Sequence, residues 1–160
     1  MKCFCFKQNK IDIEPVYFNT VYHGTLQNFA PEKINSPSWF SLEEDQSVKW
    51  IYYKYTKNNL SGNKIGYLHK FSVISLPNLL DINTNSNLRL EINANGNYHF
   101  SQRIKNGEYG NYDGYINMED QAEIMLCDPS KFLQIQETIK IQIEKFSNIN
   151  YEKTSKGWRL

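Results

Sequence analysis

The sequence predicts an α+β domain that is rich in strands and has few helices. One helix is indicated by apolar residues that recur three and four positions apart between 43 and 55. Two strands are indicated by alternating side-chain patterns at 66–76 and at 139–143. The polar, Asn-rich segment 83–110 predicts a long loop region with one short helix near 88–92, and loops of that length are often functional.

The predicted helix has signals at both of its ends. Ser41 and Glu44 have the spacing of a capping box, with a hydroxyl at the N-cap and a carboxylate three residues later. Acidic side chains occur near its start and lysines towards its end, as the helix dipole favours. The face predicted to pack on the core consists of Val48, Ile51, Tyr52 and Tyr55.

Shorter elements are predicted on both sides of this helix. They are a strand at 18–23, a short helix or turn at 26–33, a very short strand at 39–41, a turn into a strand at 112–116, a strand at 121–127 and a helical turn at 128–130. The segment 79–82 is expected to return to the core after Pro77. No internal repeat, linker or second domain is visible. The prediction is a single domain of residues 1–160, with its core at about 17–146.

Composition and charge exclude several classes of function. With 18 basic and 17 acidic side chains the net charge is +1, which leaves no electrostatic footprint for long nucleic acid or an anionic membrane. The N-terminus is too polar for a signal peptide and no apolar run could span a bilayer, so we expect a cytoplasmic, intracellular protein without a membrane partner. Cys3, Cys5 and Cys127 form no disulfide framework, and no second Cys/His pair accompanies the first two, so we expect no metal.

One histidine and one glutamate are candidates for chemistry. The common Gly-rich nucleotide motifs, the serine-hydrolase elbow and the zinc-protease motif are all missing from the sequence. His69 lies within a strand and is expected to be structural, and His99 lies in the polar region and is expected to be solvated. His23 ends a strand beside Gly24, where a ligand can approach the backbone, and Glu123 is a lone carboxylate in an apolar strand pattern.

Three motifs carry a resemblance to a known family. In chain order they are Tyr22-His23-Gly24-Thr25, Ser38-Trp39-Phe40-Ser41 followed by the helix, and Glu123-Ile124 within an apolar strand. Their order and spacing resemble the ADP-ribosyltransferases of the diphtheria-toxin and poly(ADP-ribose) polymerase type, the H-Y-E branch. The resemblance implies a fold with two small antiparallel sheets that form a split core with a cleft, and NAD as co-substrate.

The resemblance also implies a role for each motif. His23 would hydrogen-bond the adenosine-side ribose of NAD, Gly24 would hold the nicotinamide amide through its backbone, and Glu123 would be the catalytic carboxylate. An aromatic side chain of the second motif, Trp39 or Phe40, would stack on the nicotinamide ring. The remaining cofactor-binding positions implied by the motifs are Thr25, Ser41 and Gln121, and Gln121 shares a strand face with Glu123.

Physical chemistry supports these roles independently of the resemblance. Cleavage of the N-glycosidic bond passes through an oxocarbenium-like transition state, which a nearby carboxylate stabilises. A flat, positively charged ring is bound by an aromatic face, and tryptophan provides the best one.

The chain also departs from the family pattern. The family usually has tyrosine where this chain has Trp39 and Phe40, and the sequence leaves open which of them faces the cleft. Gln121-x-Glu123 resembles the pattern of the arginine-led toxins, but the first motif here carries histidine. The acceptor, a protein side chain or a nucleic-acid base, therefore stays open.

The sequence predicts an NAD-dependent mono-ADP-ribosyltransferase or NAD glycohydrolase. The alternative is a catalytically inactive module of the same fold that binds NAD, ADP-ribose or a protein partner. In that case His23 is a strand-end histidine, and Glu123 pairs with a lysine at the sheet edge. The tyrosines expected to be core and rim are Tyr109, Tyr112 and Tyr115.

Overall fold

The computed structural model describes residues 18–28, 36–58, 64–118 and 123–143, and the backbone of two short strands at 152–154 and 157–159. The expectations for Cys3, Cys5 and Gln121 lie outside the described residues. None of the described helices is long and apolar enough to cross a membrane.

The predicted α+β class is confirmed. The elements are β1 (Thr20–Thr25), β2 (Ser38–Ser41), α1 (Glu44–Lys57), β3 (Lys64–Val73), β4 (Leu79–Asp81), α2 (Ser86–Asn95), α3 (Asn97–Lys105), β5 (Gly114–Asn117), β6 (Glu123–Leu126), a 3-10 turn (Pro129–Lys131), β7 (Leu133–Ile143), β8 (Glu152–Thr154) and β9 (Gly157–Arg159).

Seven of the strands form one sheet, in the order β4-β5-β6-β2-β1-β3-β7. Its neighbouring strands are antiparallel except for β4 and β5, which are parallel. The sheet is therefore mixed and continuous, where the sequence led us to expect two separate antiparallel sheets. The strands β8 and β9 form a separate two-stranded pair.

The sheet is continuous because of a single point of pairing between β1 and β2. Tyr22 lies opposite Ser41, and this is the one paired position between the two strands. By contrast, β1 pairs with β3 at six positions, and β2 pairs with β6 at four. We call the boundary between β1 and β2 the seam. It divides the sheet into a half made of β4, β5, β6 and β2 and a half made of β1, β3 and β7.

All three helices pack on one face of this sheet, which we call the helix face. Trp39, Met125 and Tyr115 lie opposite one another on β2, β6 and β5 and therefore share that face. They form one apolar cluster with α2 and α3, through residues such as Phe100. On the other half of the sheet α1 packs closely over Gly24. The seam thus lies between α1 on one side and the α2–α3 pair on the other.

The opposite face of the sheet carries the largest buried cluster. Its buried members come from six of the strands and include Val21, Phe40, Phe71, Ile124 and Leu126. These side chains alternate with those of the helix face along each strand. The two faces together account for the apolar alternation from which the strands were predicted.

The segment predicted to be mostly loop is largely helical. Both α2 and α3 lie within it, and Gly96 joins them with φ 85°, which favours glycine. Each helix places two apolar residues four positions apart on the core, Leu88 and Ile92 in α2 and Phe100 and Ile104 in α3. Two apolar residues in each helix are too few to give a recognisable helical period in an Asn-rich sequence. The sequence therefore predicts only a short helix near 88–92 and does not predict α3.

Helix α1 begins two residues later than the capping-box prediction requires. Its N-cap is Glu43, whose side chain makes no capping hydrogen bond, and its first residue is Glu44. The hydroxyl of Ser41 instead accepts a hydrogen bond from the backbone N–H of Glu43 at 3.0 Å. Ser41 therefore stabilises the turn that leads from β2 into the helix, and the predicted capping role is corrected.

A β-bulge in β7 changes the face of the sheet to which its apolar side chains point. Ile135 lies opposite Phe71, but Glu137 lies opposite Lys70, so Gln136 is the extra residue in β7. Before the bulge β7 packs on the cluster of the opposite face, and after it Ile139 and Ile141 pack on the cluster around α1.

Candidate functional site

The first two motifs meet at the seam through a hydrogen bond. The Nδ1 atom of His23 lies 2.8 Å from the backbone carbonyl oxygen of Trp39. A carbonyl oxygen can only accept, so Nδ1 carries the hydrogen and donates it. In the neutral ring the second nitrogen, Nε2, is then a hydrogen-bond acceptor.

The imidazole of His23 is held neutral by its surroundings. Burial is the largest cause that lowers its pKa from the ordinary value of 6.5 to about 4; the hydrogen bond to the Trp39 carbonyl acts in the opposite direction, and Lys54 and His69 add smaller lowering effects. At neutral pH the ring therefore carries no charge, and the tautomer fixed by Trp39 persists.

The second and third motifs meet on the helix face through Tyr115. The indole Nε1–H of Trp39 donates to the Tyr115 hydroxyl oxygen at 2.8 Å. The Tyr115 hydroxyl in turn donates to Oε1 of Glu123 at 2.9 Å. Trp39, of the second motif, is thus joined to one residue of each of the other two motifs. Its backbone carbonyl accepts from His23, and its indole is linked through Tyr115 to Glu123.

Phe40 lies on the opposite face of the sheet from the side chains of Trp39 and Glu123. It follows Trp39 on β2 and so points to the opposite face, where it is 2 % exposed. Its ring centroid is 5.5 Å from that of Phe71 and 5.6 Å from that of His23. Of the two aromatic candidates of the second motif, Trp39 shares a face with Glu123, and Phe40 is a core residue that packs against one side of His23.

Gly24 has a packing role that is independent of any ligand. A Cβ built at this position would lie 2.1 Å from the backbone carbonyl oxygen of Ser47, closer than two such atoms can approach. The glycine therefore allows α1 to lie directly on β1. It also follows the last paired position between β1 and β2, so the pairing of β1 across the seam ends before it.

Two further predicted residues are buried beside the seam. The hydroxyl oxygen of Thr25 accepts a hydrogen bond from the backbone N–H of Gln27 at 3.2 Å. Ser41 lies directly opposite Glu123, on the same face as that carboxylate. Both hydroxyls thus stabilise turns at the edge of the site.

Three residues near the site were not predicted from the sequence. Tyr115 was expected to be core or rim, and it is 1 % exposed, but its hydroxyl bridges Trp39 and Glu123. Asn117 lies directly opposite Glu123 on β5, and its buried Oδ1 has no hydrogen-bond partner within the part of the chain that the structure describes. Lys54 is half-buried on α1, and burial lowers its pKa. The register of the sheet brings the first two to Glu123, and no local sequence signal marks them.

Lys54 is a cation without an ion-pair partner among the described residues. Its charge acts on His23, and burial is the cause of its lowered pKa. Partly buried cations are stabilised when an anion binds beside them. An anionic group near His23 therefore fits this corner of the site.

The other two histidines are placed as expected. His69 is fully buried, and its Nδ1 lies 2.9 Å from the hydroxyl oxygen of Thr138. His99 is exposed on α3. Within the described ranges no group of three His, Cys, Asp or Glu side chains has the arrangement of a metal site.

The arrangement presents four different chemical groups around the seam. They are the neutral imidazole of His23, the indole of Trp39, the carboxylate of Glu123 and the half-buried ammonium of Lys54. Strand alternation places the Trp39 and Glu123 side chains on the helix face and the His23 side chain on the face of Phe40, so the imidazole reaches the seam from the other side of the sheet. Comparisons of the chain with protein-family models, with curated proteins and with solved structures found no match.

Proposed function

We propose that this chain is an NAD-dependent mono-ADP-ribosyltransferase, which transfers ADP-ribose from NAD to a protein or nucleic-acid acceptor and releases nicotinamide. The observation that carries the proposal is the set of hydrogen bonds that joins His23, Trp39 and Glu123, one residue from each motif. The weakly paired seam beside these residues supports an ADP-ribosyltransferase-like fold, with NAD bound where β1 and β2 separate.

In this proposal Glu123 is the catalytic residue. The bond between the ribose carbon and the nicotinamide nitrogen breaks, and its electron pair leaves with nicotinamide. The ribosyl cation that forms is stabilised by the negative charge of Glu123, which also accepts a hydrogen bond from a ribose hydroxyl. The acceptor nucleophile then attacks the cation and loses its proton to solvent.

The other groups match the remaining parts of NAD. The neutral His23 presents Nε2 as an acceptor, which suits a ribose hydroxyl donor. The half-buried ring of Trp39 suits the cationic nicotinamide ring. The ammonium of Lys54 suits the diphosphate, whose negative charge offsets the cost of keeping Lys54 half-buried.

The direct test is incubation of the purified protein with NAD labelled in its adenine. Nicotinamide release and transfer of label are measured for the wild type, for Glu123→Gln and for the matched control Glu137→Gln, which changes an exposed carboxylate on β7. We expect the wild type and the control to release nicotinamide, and Glu123→Gln to be slower by about 100-fold or more. Release by the wild type no faster than by Glu123→Gln refutes the enzymatic function.

A second measurement separates an enzyme from a binding module. NAD is expected to raise the thermal unfolding midpoint of the wild type and of Glu123→Gln, because both keep the binding groups. The same addition should leave the midpoint of His23→Ala unchanged. Stabilisation by NAD without nicotinamide release would identify the chain as a non-catalytic NAD-binding module.

A further inference from the structure

The hydrogen bonds between Trp39, Tyr115 and Glu123 can run in one direction only. An indole N–H donates and never accepts, so the Tyr115 oxygen is the acceptor for Trp39. Tyr115 has a single hydroxyl proton, and it lies 2.9 Å from Oε1 of Glu123. The proton is therefore donated to Glu123, and Oε1 is bound as an acceptor.

Tyr115 is rigidly placed between its two partners. It is 1 % exposed, it lies opposite Met125, and its ring packs edge-on against Phe100 with the centroids 5.7 Å apart. Burial, and next the negative charge of Glu123, raise the pKa of Tyr115 far above its ordinary value, so the hydroxyl keeps its proton. The packing holds the ring, and the two hydrogen bonds hold the hydroxyl.

We propose that Tyr115 is a positioning residue that fixes the orientation of the Glu123 carboxylate and the plane of the Trp39 ring together. This inference rests on the proposed function, because the orientation matters only if Glu123 meets a reacting ribose. It also gives a reason for tryptophan at position 39. Phenylalanine there would keep an aromatic face but would have no N–H to donate to Tyr115.

We call the two hydrogen bonds that run from Trp39 through Tyr115 to Glu123 the relay. In this proposal the relay affects the rate of the chemical step more than the affinity for the substrate. A carboxylate held by a charge-assisted hydrogen bond is already aimed at the position where positive charge develops. Loss of that bond removes one constraint on the carboxylate orientation, and we expect the cost to fall mainly on the transition state. The expected effect is thus a lower kcat with a nearly unchanged KM.

The first arm of the test compares two tyrosines from the same apolar cluster. Tyr115→Phe removes the relay hydroxyl, and the control Tyr109→Phe removes a hydroxyl that donates to a different carboxylate, Glu91. For Tyr115→Phe we expect kcat of nicotinamide release to fall about tenfold or more, with KM changed by less than about twofold. Tyr109→Phe should keep both constants. Since the relay passes through Tyr115, adding Trp39→Phe to Tyr115→Phe should cost less than it does alone in the wild type.

The second arm needs no NAD and detects the hydrogen bonds of Trp39 directly by NMR. In ¹⁵N-labelled protein the indole N–H signal of Trp39 is assigned by its loss in Trp39→Phe. That signal should shift in Tyr115→Phe and, through the relay, in Glu123→Gln, and should stay in place in Tyr109→Phe. Should Tyr115→Phe fold poorly, Glu123→Gln still provides the readout, because the change lies at the accessible end of the relay.

The outcomes separate the relay from the proposed function. If the wild type releases nicotinamide and folded Tyr115→Phe keeps its kcat, Tyr115 is not a positioning residue, while the function stands. If the indole N–H signal of Trp39 has the same position in Tyr115→Phe and Glu123→Gln as in the wild type, the proposed hydrogen bonds are also refuted. If the wild type shows no NAD turnover at all, the proposed function fails, and the catalytic role of Tyr115 fails with it even where the indole signal responds.

Discussion

The imidazole of His23 donates a hydrogen bond of 2.8 Å to the backbone carbonyl oxygen of Trp39, across a seam where β1 and β2 pair at one position only. The bond joins the two halves of the sheet through a side chain. It also fixes the tautomer of His23, because only Nδ1 can be the donor. Nε2 is then the acceptor nitrogen of the neutral ring.

The low pKa of His23 predicts a loss of stability in mild acid. In the unfolded chain His23 takes up a proton near pH 6.5, but in the folded chain only near pH 4. The neutral ring therefore contributes fully to the free energy of unfolding above pH 6.5. About 3 kcal/mol of that free energy is lost as the pH falls towards 4. Urea unfolding at a series of pH values measures this loss.

The variant His23→Asn isolates this contribution. It keeps a donor for the Trp39 carbonyl but has no titrating group, so its stability should fall less steeply between pH 6.5 and 4. Burial also lowers the pKa of His69, and that contribution has the same sign in both proteins. The exposed His99→Gln serves as the control and should match the wild type. Equal pH slopes for wild type and His23→Asn contradict the prediction.

Removing the charge of Lys54 should alter both NAD binding and the titration of His23. If NAD binds as proposed, we expect Lys54→Met to raise the dissociation constant for NAD about tenfold and to weaken its dependence on salt, because the cation assigned to the diphosphate is lost. The pKa of His23 should rise, since the charge of Lys54 lowers it. Calorimetry and NMR titration measure the two effects.

Lys57→Met is the matched control for Lys54→Met. Lys57 lies one helical turn later on α1 and is exposed, and it should affect neither quantity. An unchanged pKa of His23 in Lys54→Met would show that Lys54 does not act on the site.

The close approach of α1 to β1 predicts that Gly24 tolerates no side chain. In Gly24→Ala the new Cβ would meet a backbone oxygen of Ser47 at 2.1 Å, and that oxygen moves only if the helix moves. We expect a loss of more than about 3 kcal/mol of unfolding free energy. In Gly66→Ala the nearest atom is a side-chain methyl of Ile51, so the loss should be smaller. Similar losses for the two variants would argue against this packing role.

The buried Oδ1 of Asn117 predicts that substitution at this position lowers activity without lowering stability. Asn117→Leu replaces a side chain whose Oδ1 has no partner among the described residues by an apolar one of similar size, so the fold should be as stable or more stable. Nicotinamide release should fall several-fold, about what one lost hydrogen bond to the substrate costs, because Asn117 lies opposite Glu123. Asn93→Leu, on the exposed side of α2, is the control. Unchanged activity would place Asn117 outside the site.

Much of the fold could be predicted where a strong local period exists. Helix α1 follows from its apolar spacing, and β3 and the last part of β7, at 139–143, follow from their alternation. The extents of α2 and α3 could not be predicted, because two apolar anchors in each do not rise above an Asn-rich background. The single sheet was also not predicted, since a seam that depends on one paired position leaves no pattern in the sequence.

The candidate site shows the same division. The motifs around His23, Trp39 and Glu123 can be recognised along the chain, since each is local. Which aromatic residue shares a face with Glu123 depends on the register of β2 against β6, and the structure places Trp39 there. Tyr115 and Asn117 reach Glu123 through the register of β5 against β6.

The sequence by itself determined the strand-rich α+β class and its main helix, because hydrophobic period and helix spacing are properties of consecutive residues. It also determined which residue types are available for chemistry. Only the tertiary structure decided how these residues meet. Strand register sets which side chains share a face, and a bulge such as that at Gln136 reverses the faces for the rest of a strand. That register brings together the hydrogen bond that His23 donates to Trp39 and the two that run from Trp39 through Tyr115 to Glu123. No local pattern in the sequence specifies the register, because the paired residues are far apart in the chain.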